Sequence, residues 1–111
     1  MTDTKLGMIG PAIIPAISAY VADSSHGLFP RVFAANTFAQ ISQNFPESRL
    51  ECIAAYMKRL EAFEQEDEEF NALLISNLVD MKAMEALPLI ERAFAADRVD
   101  TSVVGLDDVY V

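Results

Sequence analysis

Three short segments of this chain line up with one another, and that internal repeat narrows the choice of fold more than any single residue does. Leu6-Gly7-Met8-Ile9, Phe38-Ala39-Gln40-Ile41 and Leu78-Val79-Asp80-Met81 each place a large apolar residue first and another three positions later. A second element recurs between them: Ile13-Ile14-Pro15-Ala16-Ile17, Cys52-Ile53-Ala54-Ala55-Tyr56 and Ala86-Leu87-Pro88-Leu89-Ile90. Two elements alternating at an interval of about 30 to 45 residues are the pattern of a helical solenoid. Such folds present binding surfaces, so the repeat says more about architecture than about the ligand.

The apolar spacing supports this reading along the whole chain. Ile13, Ile14, Ile17, Tyr20 and Val21 recur at helical intervals, with Pro11 at a first-turn position. Pro15 predicts a helix that begins just before it or is kinked near its start. Asp23, Ser24, Ser25 and Gly27 end that helix, and the next is expected near Pro30 and to run to about Asn44, with Ala34, Phe38 and Ile41 on one face. After the break at Phe45-Pro46, the stripe Leu50, Ile53, Met57, Leu60 and Phe63 predicts a third helix. Asp67 is the expected N-cap of a fourth, which buries Phe70, Leu74, Leu78 and Met81. A fifth is expected from near Ala83 to near Asp97, burying Leu87, Ile90 and Phe94. Residues 99–111 lack a helical stripe and read as an irregular or strand-like tail.

Charge and residue counts exclude several functions. The 17 acidic against 8 basic residues give a formal charge of −9 across 111 residues, which repels nucleic acid and anionic membrane alike. Residues 8–22 are apolar but hold Pro11 and Pro15 and are too short to cross a bilayer, so no membrane partner is expected. With one cysteine, Cys52, and one histidine, His26, the chain can build neither an internal disulfide nor a Cys/His zinc site, and it suits a reducing cytoplasm. His26 reads as a solvated turn residue and Cys52 as a small buried side chain. The run from Glu64 to Glu69 lacks the alternating ligands and central glycine of a calcium loop and reads as a solvated turn. Asp80 and Glu85 have no partner in the sequence that would make them a hydrolase pair. The methionines, Met57, Met81 and Met84 among them, read as core filling. No cofactor, metal or catalytic residue is predicted, and the chain is read as a non-enzyme.

On these residues the chain resembles the HEAT-repeat family, and more narrowly the HEAT-like repeats of cyanobacterial proteins and bilin lyases. The features that carry the resemblance are the proline early in the first helix of a unit (Ile14-Pro15-Ala16-Ile17, Leu87-Pro88-Leu89-Ile90), the small-residue second helix Arg31-Val32-Phe33-Ala34-Ala35-Asn36, and residues 89–100. The resemblance implies an all-α, right-handed HEAT-like α-solenoid of about two and a half helical-hairpin repeats, one domain over 1–111. Residues 1–10 would be the remnant of a preceding repeat and 99–111 the tail, so the chain is expected to start in the middle of a unit.

For function, the resemblance implies a protein-interaction or scaffold module whose partner is another protein. Alignment of the second helices sets Asn36 beside Ser76 and Gln40 beside Asp80, and these four are the predicted partner-binding residues, on an exposed ridge opposite the core. The alternative is a subunit of a bilin lyase or a bilin-handling chaperone, for which the second helices supply only Arg31 and Lys82 toward propionates. The opening helix is expected to leave apolar area among Ile13, Ile14, Ile17 and Tyr20. A second copy, giving a homodimer, or the tail residues Val103, Val104, Leu106, Val109 and Val111 would cover it.

Overall fold

The computed structural model describes residues 10–110, and the segment Leu6-Gly7-Met8-Ile9 of the repeat, with the expected remnant up to Ile9, lies outside them. The described residues form six α-helices and no strand: α1 (Ile14–Ala22), α2 (Leu28–Asn44), α3 (Arg49–Leu60), α4 (Glu68–Asp80), α5 (Leu87–Ala95) and α6 (Leu106–Val109). The chain divides into two compact units, the first ending at Arg59 and the second beginning at Leu60.

The repeat has a local structural counterpart. A single 3-10 turn, Pro11–Ile13, Pro46–Ser48 or Met84–Ala86, runs directly into α1, α3 or α5. Pro15 and Pro88 both occupy the second position of their helices, where the missing N–H removes no intrahelical bond. The residues ahead of the two helices have nearly the same backbone angles: Ile13 at φ −90°, ψ −3° and Ala86 at φ −88°, ψ −5°. Thus α1 begins just before Pro15, as its sequence predicts, and the two prolines share one local environment.

A second repeated device lies after α1 and α5. The Asp23 carboxylate accepts hydrogen bonds from the backbone N (3.0 Å) and Oγ (2.7 Å) of Ser25, and Asp100 accepts the same pair from Ser102 at 3.0 and 2.6 Å. These Asx turns hold the chain for a following glycine, Gly27 or Gly105, that stands immediately before a helix starting with leucine. The hydroxyl bond and then the backbone bond hold both carboxyls below their ordinary value near 3.8. A carboxyl whose folded pKa is depressed contributes stability above its unfolded pKa and loses it as pH falls through the folded value. NMR titration should therefore find Asp23 and Asp100 protonating below the ordinary carboxyl range, and Ser25→Ala, which removes the hydroxyl bond but keeps the backbone one, should raise the Asp23 pKa only part of the way back.

In the first unit, α1 packs along α2, and the Phe45 ring just past α2 lies where a side chain on Gly10 would meet it at 3.2 Å. Gly10 has φ 101°, a conformation that suits glycine. Ile14, Ile17 and Val21 of α1, Ala35, Phe38 and Ile41 of α2, and Cys52, Ile53 and Tyr56 of α3 are buried. The expected bare patch on α1 is therefore much reduced, since Ile14 and Ile17 are covered within one chain and Tyr20 stacks on His26 at 3.8 Å. Leu50, predicted as core, is 66% exposed. It lies to one side of the face that buries Cys52, Ile53, Tyr56 and Leu60.

Tyr56 makes the most specific contact in this unit. Its hydroxyl donates to the Ala35 carbonyl at 2.6 Å and accepts from the Ala39 N–H at 3.2 Å, two groups that pair with each other in a regular helix. The ring meets Phe38 edge-on at 5.2 Å. Burial pushes the phenol well above its ordinary pKa, so it stays a donor at any physiological pH. Tyr56→Phe should cost only about 1 kcal/mol by urea unfolding, because the Ala35 and Ala39 groups can then bond one another instead of being orphaned.

In the second unit, Phe63, Phe70, Ala72, Leu74, Ile75, Leu78, Leu89, Ile90, Ala93, Val99 and Val104 are buried. Asp67 precedes α4 as expected, but its side chain makes no capping bond. The acidic run is not simply a solvated turn: Glu66 is buried, and its carbonyl accepts from Arg98 Nη2 at 2.6 Å. Arg98 also pairs with Glu68 at 3.5 Å. Asn71, fully buried, donates from Nδ2 to the carbonyls of Phe63 (2.9 Å) and Arg98 (2.8 Å). Residues 99–111 are a further correction, because Leu106–Val109 form the short helix α6. Its signal is the Gly105 N–H donating to the Asp108 carboxylate at 2.9 Å, with Asp108 at the third helical position as in half of a capping box.

Candidate functional site

The end of α4 shapes a concavity in the second unit. Lys82 adopts φ 55°, and two hydrogen bonds close the helix, Lys82 N to the Val79 carbonyl at 2.9 Å and Ala83 N to the Leu78 carbonyl at 3.0 Å. This is a Schellman cap with lysine at the left-handed position where glycine is usual. The same pair of bonds ends α5, with Asp97 at φ 59°. The sharp reversal at Lys82 turns the chain into the 3-10 turn Met84–Ala86 and α5. At the other end, the Tyr110 hydroxyl bonds to the Glu91 carboxylate and ties α6 to α5.

Between these elements lies an open groove of about 860 Å3. Met84, Leu87 and Ile90 supply α5 and the turn before it, Val103 and Val109 come from the segment through α6, and Ser76, Asp80, Lys82 and Asp108 supply the polar positions. The surface is apolar with two carboxylates and one ammonium group around it. Apolar concavity with a few polar groups is the general character of ligand and peptide sites.

Two of the four predicted partner-binding residues line this groove, Ser76 and Asp80. Asn36 and Gln40 are one turn apart on α2, and Ser76 and Asp80 are one turn apart on α4. Each pair holds the ninth and thirteenth positions of its helix, as the alignment of the second helices requires. Asn36 and Asp80 are exposed, whereas Gln40 and Ser76 are half-buried rather than standing on an open ridge.

The remaining groove residues are absent from that prediction. Met84, read from sequence as core filling, is 72% exposed. Leu87, predicted buried, is half-buried because the groove opens along it. Ile90 also lines the groove while being buried, as Ile14 and Ile17 of α1 are. Cys52 is buried as expected, and desolvation pushes its thiol above the ordinary range, against nucleophilic use. Among the described residues no three His, Cys, Asp or Glu side chains gather into a metal-binding group, and no helix is long and apolar enough to cross a membrane. Compared with protein-family models, with curated proteins and with solved structures, the chain matches none.

Proposed function

We propose that this chain is a HEAT-like α-solenoid that serves as a non-enzymatic protein-interaction module. The observation that carries the reading is the local repeat: a 3-10 turn leading into a helix with proline second, then an Asp-x-Ser turn, a glycine and another helix, present once before residue 45 and again after residue 83. Units of this kind leave one face of their second helices for partners. Asn36, Gln40, Ser76 and Asp80 are the residues proposed for that face, and the groove at Ser76 and Asp80 gives one part of it depth. The bilin-handling alternative gains no support from the groove, whose two carboxylates would repel the propionates of a tetrapyrrole.

The test is cross-linking of the purified protein in lysate to identify a partner, followed by measured affinity for the purified pair. Gln40→Ala with Asp80→Ala should weaken binding while leaving the helical circular-dichroism signal in place. An unchanged affinity would remove these residues as the recognition face.

A further inference from the structure

We propose that α2 is the contact surface of a homodimer, in which Phe29 of one protomer packs against Phe33 of its partner and the reverse pair completes a twofold arrangement. This goes beyond the interaction-module reading, to which neither ring belongs. Phe29 is 77% and Phe33 48% exposed, whereas the other five phenylalanines are buried or half-buried. The two stand one turn apart on α2, and Asn36, Gln40 and Gln43 continue the line at intervals of three and four. That is the spacing of a helix-pairing seam. Arg31, Ala35, Phe38 and Ile41 hold the buried side of the helix, and the two rings lie off it.

Charge selects a second copy as the occupant. Residues 47–111 carry 15 acidic and 6 basic residues and so hold the whole formal charge of −9, whereas residues 10–46 hold one carboxylate, Asp23, and one guanidinium, Arg31. The longest described helix, α2, has no acidic residue among its 17. Arg31 is buried with its Nε donated to the Val21 carbonyl at 2.8 Å, so the line from Phe29 to Gln43 presents no charge. Two copies of a strongly acidic chain repel wherever their carboxylates meet, and across this line they bring none together. A charged partner gains no steering from a neutral face. Aromatic surface without charge is what matches it, and a second copy supplies that surface.

Around a twofold axis passing between the rings, residue 29 meets residue 33 twice, as an isologous contact requires. The two α2 helices then cross antiparallel. Each aromatic pair contributes beyond its area when the rings are offset or edge-on. With a whole phenylalanine burying about 150 to 250 Å2, the exposed fractions of Phe29 and Phe33 amount to roughly 250 Å2 per copy. Even with neighbouring side chains added, this is the low end of specific interfaces, so a dimer of micromolar strength is expected. Gln40 lies about 13 Å along the helix from the crossing and stays open to another partner.

Sedimentation equilibrium of the full chain tests the proposal. The wild type should pass from monomer to dimer between about 1 and 100 μM. Phe29→Lys and Phe33→Glu should each weaken association at least about tenfold while the helical circular dichroism is kept. Phe29→Lys, at the more exposed position, keeps the test independent of folding at Phe33. An equal mixture of the two variants should restore the dimer, because the introduced lysine and glutamate then face one another while the intact Phe33 and Phe29 pack as before. A mixture that stays monomeric while the wild type dimerises would overturn the antiparallel pairing. A wild type still monomeric at about 200 μM would overturn the dimer. So would a Phe29→Lys variant that associates as tightly as the wild type, since the contact then lies elsewhere. Binding of a monomer to phosphatidylcholine vesicles that is lost in Phe29→Lys would assign the rings to a lipid surface and overturn the proposal. A monomer that loses a natural partner on changing Gln40 and Asp80 would refute the dimer and leave the interaction module standing.

Discussion

Phe38→Ala is expected to destabilise the protein by about 3 to 5 kcal/mol, as measured by urea unfolding followed by circular dichroism. Phe38 is 1% exposed and stands on the face of α2 that also buries Ala35 and Ile41. Truncation removes the transfer free energy of the ring and leaves a cavity that the surrounding helices close only in part. It also removes the edge-on contact with Tyr56, which contributes about 0.5 to 1.5 kcal/mol beyond area alone. Against a total stability of about 5 to 15 kcal/mol, such a loss brings a sizeable unfolded fraction within reach of mild urea. A cost below about 1 kcal/mol would mean that α2 does not sit over Tyr56 as described.

Asn71→Leu should cost about 2 to 4 kcal/mol, although it puts a more apolar side chain of similar size into a fully buried site. The reason is what it abandons. The Arg98 carbonyl loses the Asn71 donor, and the Phe63 carbonyl keeps only a long bond from Glu66 N at 3.4 Å. A buried carbonyl left without a partner costs about 1 to 3 kcal/mol. Asn71→Ala should cost a similar amount, because the lost donors outweigh the volume difference. If Asn71→Leu were neutral while Asn71→Ala was costly, packing and not the amide would be holding residues 63 and 98 to α4.

Helical class was legible because the apolar intervals are three and four nearly everywhere, and Pro15 and Pro88 fix helix starts by backbone chemistry independent of packing. The same reasoning failed at Leu50 and Leu87, for different reasons. Leu50 satisfies the interval but lies to one side of the face that buries Cys52, Ile53, Tyr56 and Leu60, and a three- or four-residue interval leaves room for more than one face. Leu87 satisfies it too, yet it lines an open groove, a tertiary fact. The α6 helix itself was missed because four residues hold no stripe to detect. Aligning Asp100, Ser102, Gly105 and Leu106 with Asp23, Ser25, Gly27 and Leu28 would have found it. Ser76 and Asp80 line the groove, and they hold the same helix positions as Asn36 and Gln40 because both helices start at equivalent places in the alignment. Met84 was misread since methionine composition suggests a core and carries no information about which turn a residue occupies.

The phenol of Tyr56 has a consequence for how α2 finds its place. Hydrophobic contacts between helices tolerate axial sliding, because one apolar turn resembles the next. A hydroxyl seated between the carbonyl of residue 35 and the amide of residue 39 does not slide freely, since a displacement of a few ångström within a turn would take it away from both groups. The oxygen thus fixes the longitudinal alignment of α2 on α3 within one helical turn, and the side chains around it, with Phe38 edge-on to the Tyr56 ring, decide which turn that is.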